Sequence, residues 1–171
     1  MKKYRSILPL FALLFFVIPN EIAAHCEVPC GIYEDSLRVK LIREHITTIE
    51  KAMKKIKELS SAKEINYNQI VRWVNNKEEH AEKIQEIVSQ YFVHQRVKIK
   101  AETDEGFAQY QKQLTQLHHI SVYAMKCKQS LDLENIKKIN AAVDGFEKVY
   151  FHAHDHKHDH KHDHGGKDHK H

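Results

Sequence analysis

Apolar residues recur at intervals of three and four through most of this chain, and that spacing commits it to amphipathic helices. Val39, Ile42, Ile46, Ile49, Met53 and Ile56 make a first stripe, closed by the polar pair Ser60-Ser61. Ile70, Val74, Ala81, Ile84, Val88 and Tyr91 make a second, widened by Trp73 and Ile87. Phe107, Tyr110, Leu114, Leu117 and Ala124 make a third, with Thr103 as its expected N-cap and Asp104 and Glu105 opposing the helix dipole. Ile136, Ile139, Val143, Phe146 and Tyr150 make a fourth, capped by Ser130 or Asp132. With only 5 glycines and 3 prolines in 171 residues, a turn-rich β fold is disfavoured. Four such helices on short connections predict an all-α, antiparallel four-helix bundle over residues 34–151. Met53, Met125 and the stripe aromatics are assigned to its core.

The first 24 residues have the pattern of a secretory signal. Lys2, Lys3 and Arg5 precede an apolar run from Ile7 to Ile18, followed by a polar stretch ending in Ala23-Ala24. The run is shorter than the roughly 20 residues of a membrane span. A lipoprotein signal is disfavoured because His25, not a small residue, precedes Cys26. Removal of residues 1–24 by a signal peptidase is therefore expected, giving an exported protein, periplasmic or extracellular, with no membrane attachment after processing. Lys2, Lys3, Arg5 and Glu21 would leave with the signal, so 27 basic and 23 acidic residues become 24 and 22. That balance, with no basic stripe interleaved with aromatics, excludes a nucleic-acid partner.

Cleavage after Ala24 changes the chemistry available to the next six residues. It would set a free α-amine on His25 beside its imidazole and the thiols of Cys26 and Cys30. The amine, the deprotonated amide of Cys26 and its thiolate form fused chelate rings, and Cys30 can complete a plane of two nitrogens and two sulfurs. Such a set suits nickel(II) or copper(II) better than tetrahedral zinc. The His25 imidazole is left for an axial position. Pro29 stiffens the turn between the cysteines, and Gly31 permits backbone close to a metal. An exported protein with two close cysteines can equally hold them as a disulfide, so that reading stays open. Cys127, the third cysteine, is expected to be a buried structural thiol.

From His152 the composition shifts. Histidines at 152, 154, 156, 158, 160, 162, 164, 169 and 171 alternate mostly with Asp and Lys, and nothing apolar is offered for burial. Residues 152–171 are expected to be a disordered tail that takes up additional divalent metal in a loose, multi-site way. His45, His80, His94, His118 and His119 lie on the expected helices and are assigned to no metal.

The run His25-Cys26-Glu27-Val28-Pro29-Cys30-Gly31-Ile32-Tyr33, at an expected processed N-terminus ahead of a bundle, resembles the nickel hook of the nickel superoxide dismutases. Glu27-Val28 stands where that family usually has Asp-Leu. Arg72-Trp73-Val74-Asn75-Asn76-Lys77-Glu78-Glu79-His80-Ala81-Glu82 looks like its arginine-containing helix. The resemblance implies one nickel per subunit on His25, Cys26 and Cys30, cycling between Ni(II) and Ni(III) while superoxide becomes oxygen and hydrogen peroxide. It implies that Tyr33 lines the substrate approach or pins the hook to the bundle. It also implies that Arg72 steadies the axial imidazole through a carboxylate; that partner does not align cleanly, and Glu44 is a candidate for it. A homohexamer of bundles is implied as well. Two other functions compete with the enzyme: an exported nickel-storage or chaperone protein without catalysis, and a structural helical domain with a Cys26–Cys30 disulfide.

Overall fold

The computed structural model describes residues 34–155, with side chains through Phe151; the signal, the hook and most of the histidine-rich tail lie outside the described residues. Four helices occur in order and no strand is found among the described residues. Helix α1 spans Asp35–Ser60 and α2 spans Tyr67–Glu86. Without a break, α2 runs on as a π-helical segment, Ile87–Arg96. Helix α3 spans Phe107–Gln129 and α4 spans Glu134–Asp155. The last therefore extends into the segment expected to be tail, and carries His152 and His154 on its final turns.

The helix starts are set by local chemistry. Asn66 caps α2, its Oδ1 accepting from Gln69 N–H at 3.1 Å. Thr103 does not cap α3, which begins four residues later. Asp104 instead accepts from Ala101 N–H at 2.8 Å, and Gly106, at φ 84, supplies the left-handed residue that turns the chain into the helix. Both candidate caps of α4 are used. Asp132 Oδ1 accepts from Glu134 N–H at 3.0 Å, while Ser130 Oγ accepts from Asn135 Nδ2 at 3.2 Å and steadies the turn.

Contacts between helices establish an antiparallel up-down-up-down bundle. Asp35 meets Tyr91, His45 meets His80, and Lys51 sits over the Trp73 ring, so α1 and α2 run opposite ways. Gln85 Nε2 donates to Ser121 O, and Gln109 Nε2 to Val149 O, fixing α2 against α3 and α3 against α4. Arg43 of α1 pairs with Asp144, at 2.6 Å, and with Glu147 of α4. Buried Lys77 donates to the carbonyls of Cys127 and Lys128, two of the acceptors left unpaired at the C-terminal end of α3.

All six residues of the first stripe and all five of the fourth are buried. Each large side chain among them contributes about 1.5–3 kcal/mol. Met53 is in the core, but Met125 is 41% exposed, because Leu117, Ile120, Ala124 and Cys127 take the inward face of α3. The expected core thus needs correcting at Met125, and also at Trp73 and Phe107, which are half-buried and stand outside the core cluster. Tyr91, Phe92, Phe146 and Tyr150 pack as an aromatic group where α2 ends and α4 ends, with Phe92 and Phe146 centroids 4.8 Å apart.

Candidate metal-hook anchor

Residue 33 is the last of the proposed hook, so the hook joins the bundle where α1 begins. Asp35, in the first turn of α1, accepts three hydrogen bonds there. Tyr91 Oη donates to Oδ1 at 2.6 Å, Tyr150 Oη to Oδ2 at 2.7 Å, and Arg96 Nη2 to Oδ2 at 2.8 Å. One carboxylate therefore ties the start of α1 to the end of α2 and the end of α4. Its side chain is only 12% exposed. The π-helical segment makes this possible. Its wider turn carries both neighbours Tyr91 and Phe92 into the core, each fully buried, and still delivers Arg96 to the carboxylate. The Arg38 guanidinium lies 4.9 Å from the Tyr91 ring centroid, closing the cluster with a cation–π contact.

These contacts set the electrostatics of the cluster. Burial alone would raise the Asp35 carboxyl, but hydrogen bonds from Arg96, Tyr91 and Tyr150 outweigh it and hold the group below its usual range. Burial, then the bond to Asp35, pushes the Tyr91 phenol up to about 12, and the Tyr150 phenol is raised in the same way. The Arg96 guanidinium is held protonated chiefly by its bond to Asp35. At neutral pH the cluster is one anion between two phenols that stay donors and the Arg96 guanidinium, which stays charged.

Of the residues singled out from the sequence, His25, Cys26, Cys30 and Tyr33 lie outside the described residues. Arg72 does not sit at the hook end. It is exposed on the N-terminal part of α2, lining a shallow surface pocket with Gln69, Trp73 and Asn76. The neighbouring Trp73 is level with Lys51, which lies about 24 Å along α1 from Asp35. Nor does Arg72 meet Glu44, which is exposed and lies beside the His45–His80 level, roughly 12 Å further along α2. The arginine brought to the start of α1 is Arg96. Its signal in the sequence is faint: a basic residue closing a stripe whose last positions are the adjacent aromatics Tyr91 and Phe92.

The structure also brings His45 and His80 together between α1 and α2, with Nδ1 atoms 3.0 Å apart. Among the described residues no group of three or more His, Cys, Asp or Glu side chains is placed to hold a metal. Burial lowers both imidazoles. His45 is lowered further by His80 and Lys83, and His80 by Lys83, while Glu44 and Glu79 oppose this weakly. A histidine in the unfolded chain titrates near pH ~6.5. The unfolded state therefore takes up protons first as pH falls, and stability present above that pH is lost towards the lower folded values. The urea midpoint should drop between about pH 7.5 and 5, and His80→Gln should flatten that slope, as read by denaturation at each pH. Cys127 is fully buried, and burial pushes its thiol up to about 11, as suits a structural cysteine.

A family profile for nickel-containing superoxide dismutase matches residues 20–154, a span that takes in the hook motif and nearly all of the bundle. No curated protein and no solved structure matches the chain.

Proposed function

The chain belongs to the nickel-containing superoxide dismutase family, and from that premise we propose that its nickel sits on a hook made by His25, Cys26 and Cys30 and held at the bundle end by Asp35. The activity is an oxidoreduction with superoxide as substrate and nickel as the metal. One superoxide gives up an electron and leaves as oxygen; a second takes up one electron and two protons and leaves as hydrogen peroxide.

The donor set fits the metal. An amine, an amidate and two thiolates supply strong anionic donation, and nickel bound by them provides the Ni(II)/Ni(III) couple through which the electron passes. The protein's own residues do the rest. Tyr33, two positions before Asp35, is close in the chain to the anchoring cluster, and its phenol is assigned to orient superoxide or peroxide near the hook. Arg38 and Arg96 add two fixed positive charges around the single Asp35 carboxylate, which favours the approach of an anion. Arg96, paired with Asp35, is the better-placed arginine for steadying the hook, since Arg72 lies exposed far along α2 from Asp35.

The observation that carries this reading is the spacing from the hook motif to Asp35. Cys30 precedes Asp35 by five residues, so its backbone lies within about 18 Å of the anchor whatever path the chain takes. Maturation is part of the proposal: export, removal of residues 1–24 and exposure of the His25 amine. The protein would then act in the periplasm or outside the cell. Among the described residues no helix is long and apolar enough to cross a membrane.

Intact-mass and N-terminal determination on nickel-loaded protein should give a chain starting at His25 with one hook-bound nickel. An added residue ahead of His25 should remove the amine donor and lower superoxide consumption at least a hundredfold. Undiminished activity in that extended protein would overturn the amine ligand.

A further inference from the structure

We propose that the histidine-rich stretch His152–His171 loads nickel into the hook of its own subunit. This rests on the reading that His25, Cys26 and Cys30 hold nickel, and it gives the tail a task that storage alone would not require.

The placement comes from the ends of α1 and α4. Tyr150 of α4 donates to Asp35 of α1 at 2.7 Å, so the chain leaves the bundle towards the tail at the same end where it arrives from the hook. Helix α4 ends at Asp155, five residues and about 8 Å past Tyr150. The sixteen residues beyond Asp155 can span at most roughly 55 Å, and Cys30 is within about 18 Å of Asp35. Covalent length alone thus lets nearly every tail histidine reach the hook of the same chain. A bundle with an odd number of helices would have sent the tail to the opposite end.

The chemistry has a direction. Nine histidines offer neutral imidazoles that bind a divalent transition metal without losing a proton from the backbone, and in many equivalent sets. The hook offers two thiolates and an amidate, which form only as nickel displaces their protons. Nickel therefore enters easily at the tail and moves downhill to the hook as Ni(II). Imidazoles are released, no electron is transferred, and the Cys26 amide and both thiols give up protons to solvent. A tethered donor on a short linker presents its cargo at a roughly millimolar effective concentration. At micromolar protein that is on the order of a thousandfold above what an untethered donor supplies.

The test uses reduced full-length protein starting at His25, at about 1 µM, with equimolar nickel and a chelator that keeps free nickel low. The comparison variant carries His156, His158, His160, His162, His164, His169 and His171 each changed to Asn, which leaves α4 intact. Hook filling is followed by its thiolate-to-nickel charge-transfer absorption and by the protons released from the two thiols and the Cys26 amide. The native chain should fill its hook at least tenfold faster than the variant, at a rate independent of protein concentration, with equal final occupancy. Equal rates in the two proteins, or slower filling in the native chain, would overturn the proposal. So would full rescue of the variant by 1 µM of separate tail peptide. Absence of the band from both proteins would instead overturn the hook reading, and this proposal with it.

Discussion

Cys26→Ser and Cys30→Ser should each abolish superoxide consumption and the thiolate-to-nickel absorption while leaving the bundle folded. A serine hydroxyl is a harder, far less basic donor than a thiolate, and it stays protonated where a thiolate would bind nickel. Loss of one sulfur removes the donation that brings the oxidised metal within reach. Activity should fall to the level of metal-free protein, at least a thousandfold. Among the described residues the packed core begins at Val39, nine positions past Cys30, so the urea midpoint of metal-free protein should be unchanged. The pair of measurements matters. A variant that kept activity would remove that cysteine from the ligand set. A variant that unfolded would show instead that the cysteines close a disulfide the fold depends on.

Asp35→Ala is the second large effect, and it should appear even without metal. The substitution strips three hydrogen bonds from one carboxylate and leaves the Tyr91 and Tyr150 hydroxyls and the Arg96 guanidinium without that acceptor. Leaving a buried or half-buried charge unpaired costs more than the pair contributes, so the metal-free bundle should lose about 3 kcal/mol. Asp35→Asn should lose less, since an amide oxygen still accepts from a phenol. In nickel-loaded protein Asp35→Ala should also lower activity per bound nickel at least tenfold, because a displacement of about 1 Å at a reacting centre is costly. The pH dependence has a definite sign. The folded carboxyl lies below its unfolded value, so its stabilisation is present above the unfolded pKa and disappears as pH falls through the folded one. An unchanged urea midpoint in Asp35→Ala would show the carboxylate to be a solvated charge rather than an anchor.

The bundle was legible because burial and periodicity are the same fact seen twice. Every residue of the first and fourth stripes that repeats on one helical face is found inside. Thr103 failed as a cap because Gly106 takes a backbone conformation open to few other residues, and the helix starts after it. The anchor was less legible. Asp35 in a first turn reads as a partner of the helix dipole, and Tyr91 and Tyr150 read as the last members of apolar stripes. Only the antiparallel register lays 35, 91, 96 and 150 side by side, and register is a property of helix pairs that no single stripe encodes. Arg72 shows the converse. Its position beside Trp73 resembles the family's arginine helix, yet counting turns of α2 carries it well away from the base of the hook.

The up-down-up-down path has a practical consequence for handling the protein. The start of α1, the connection 97–106 and the end of α4 share one end of the bundle, whereas the turns at 61–66 and 130–133 share the other. An affinity label, a surface tether or a fluorescent reporter joined directly ahead of α1 or directly after α4 would therefore stand at the end of the bundle where the chemistry is proposed to occur. A label spliced into the turn at 61–66 would stand a whole helix length away from it. Residues Ser61 to Asn66 are exposed there, so this turn is the place to hold the molecule without touching what it does.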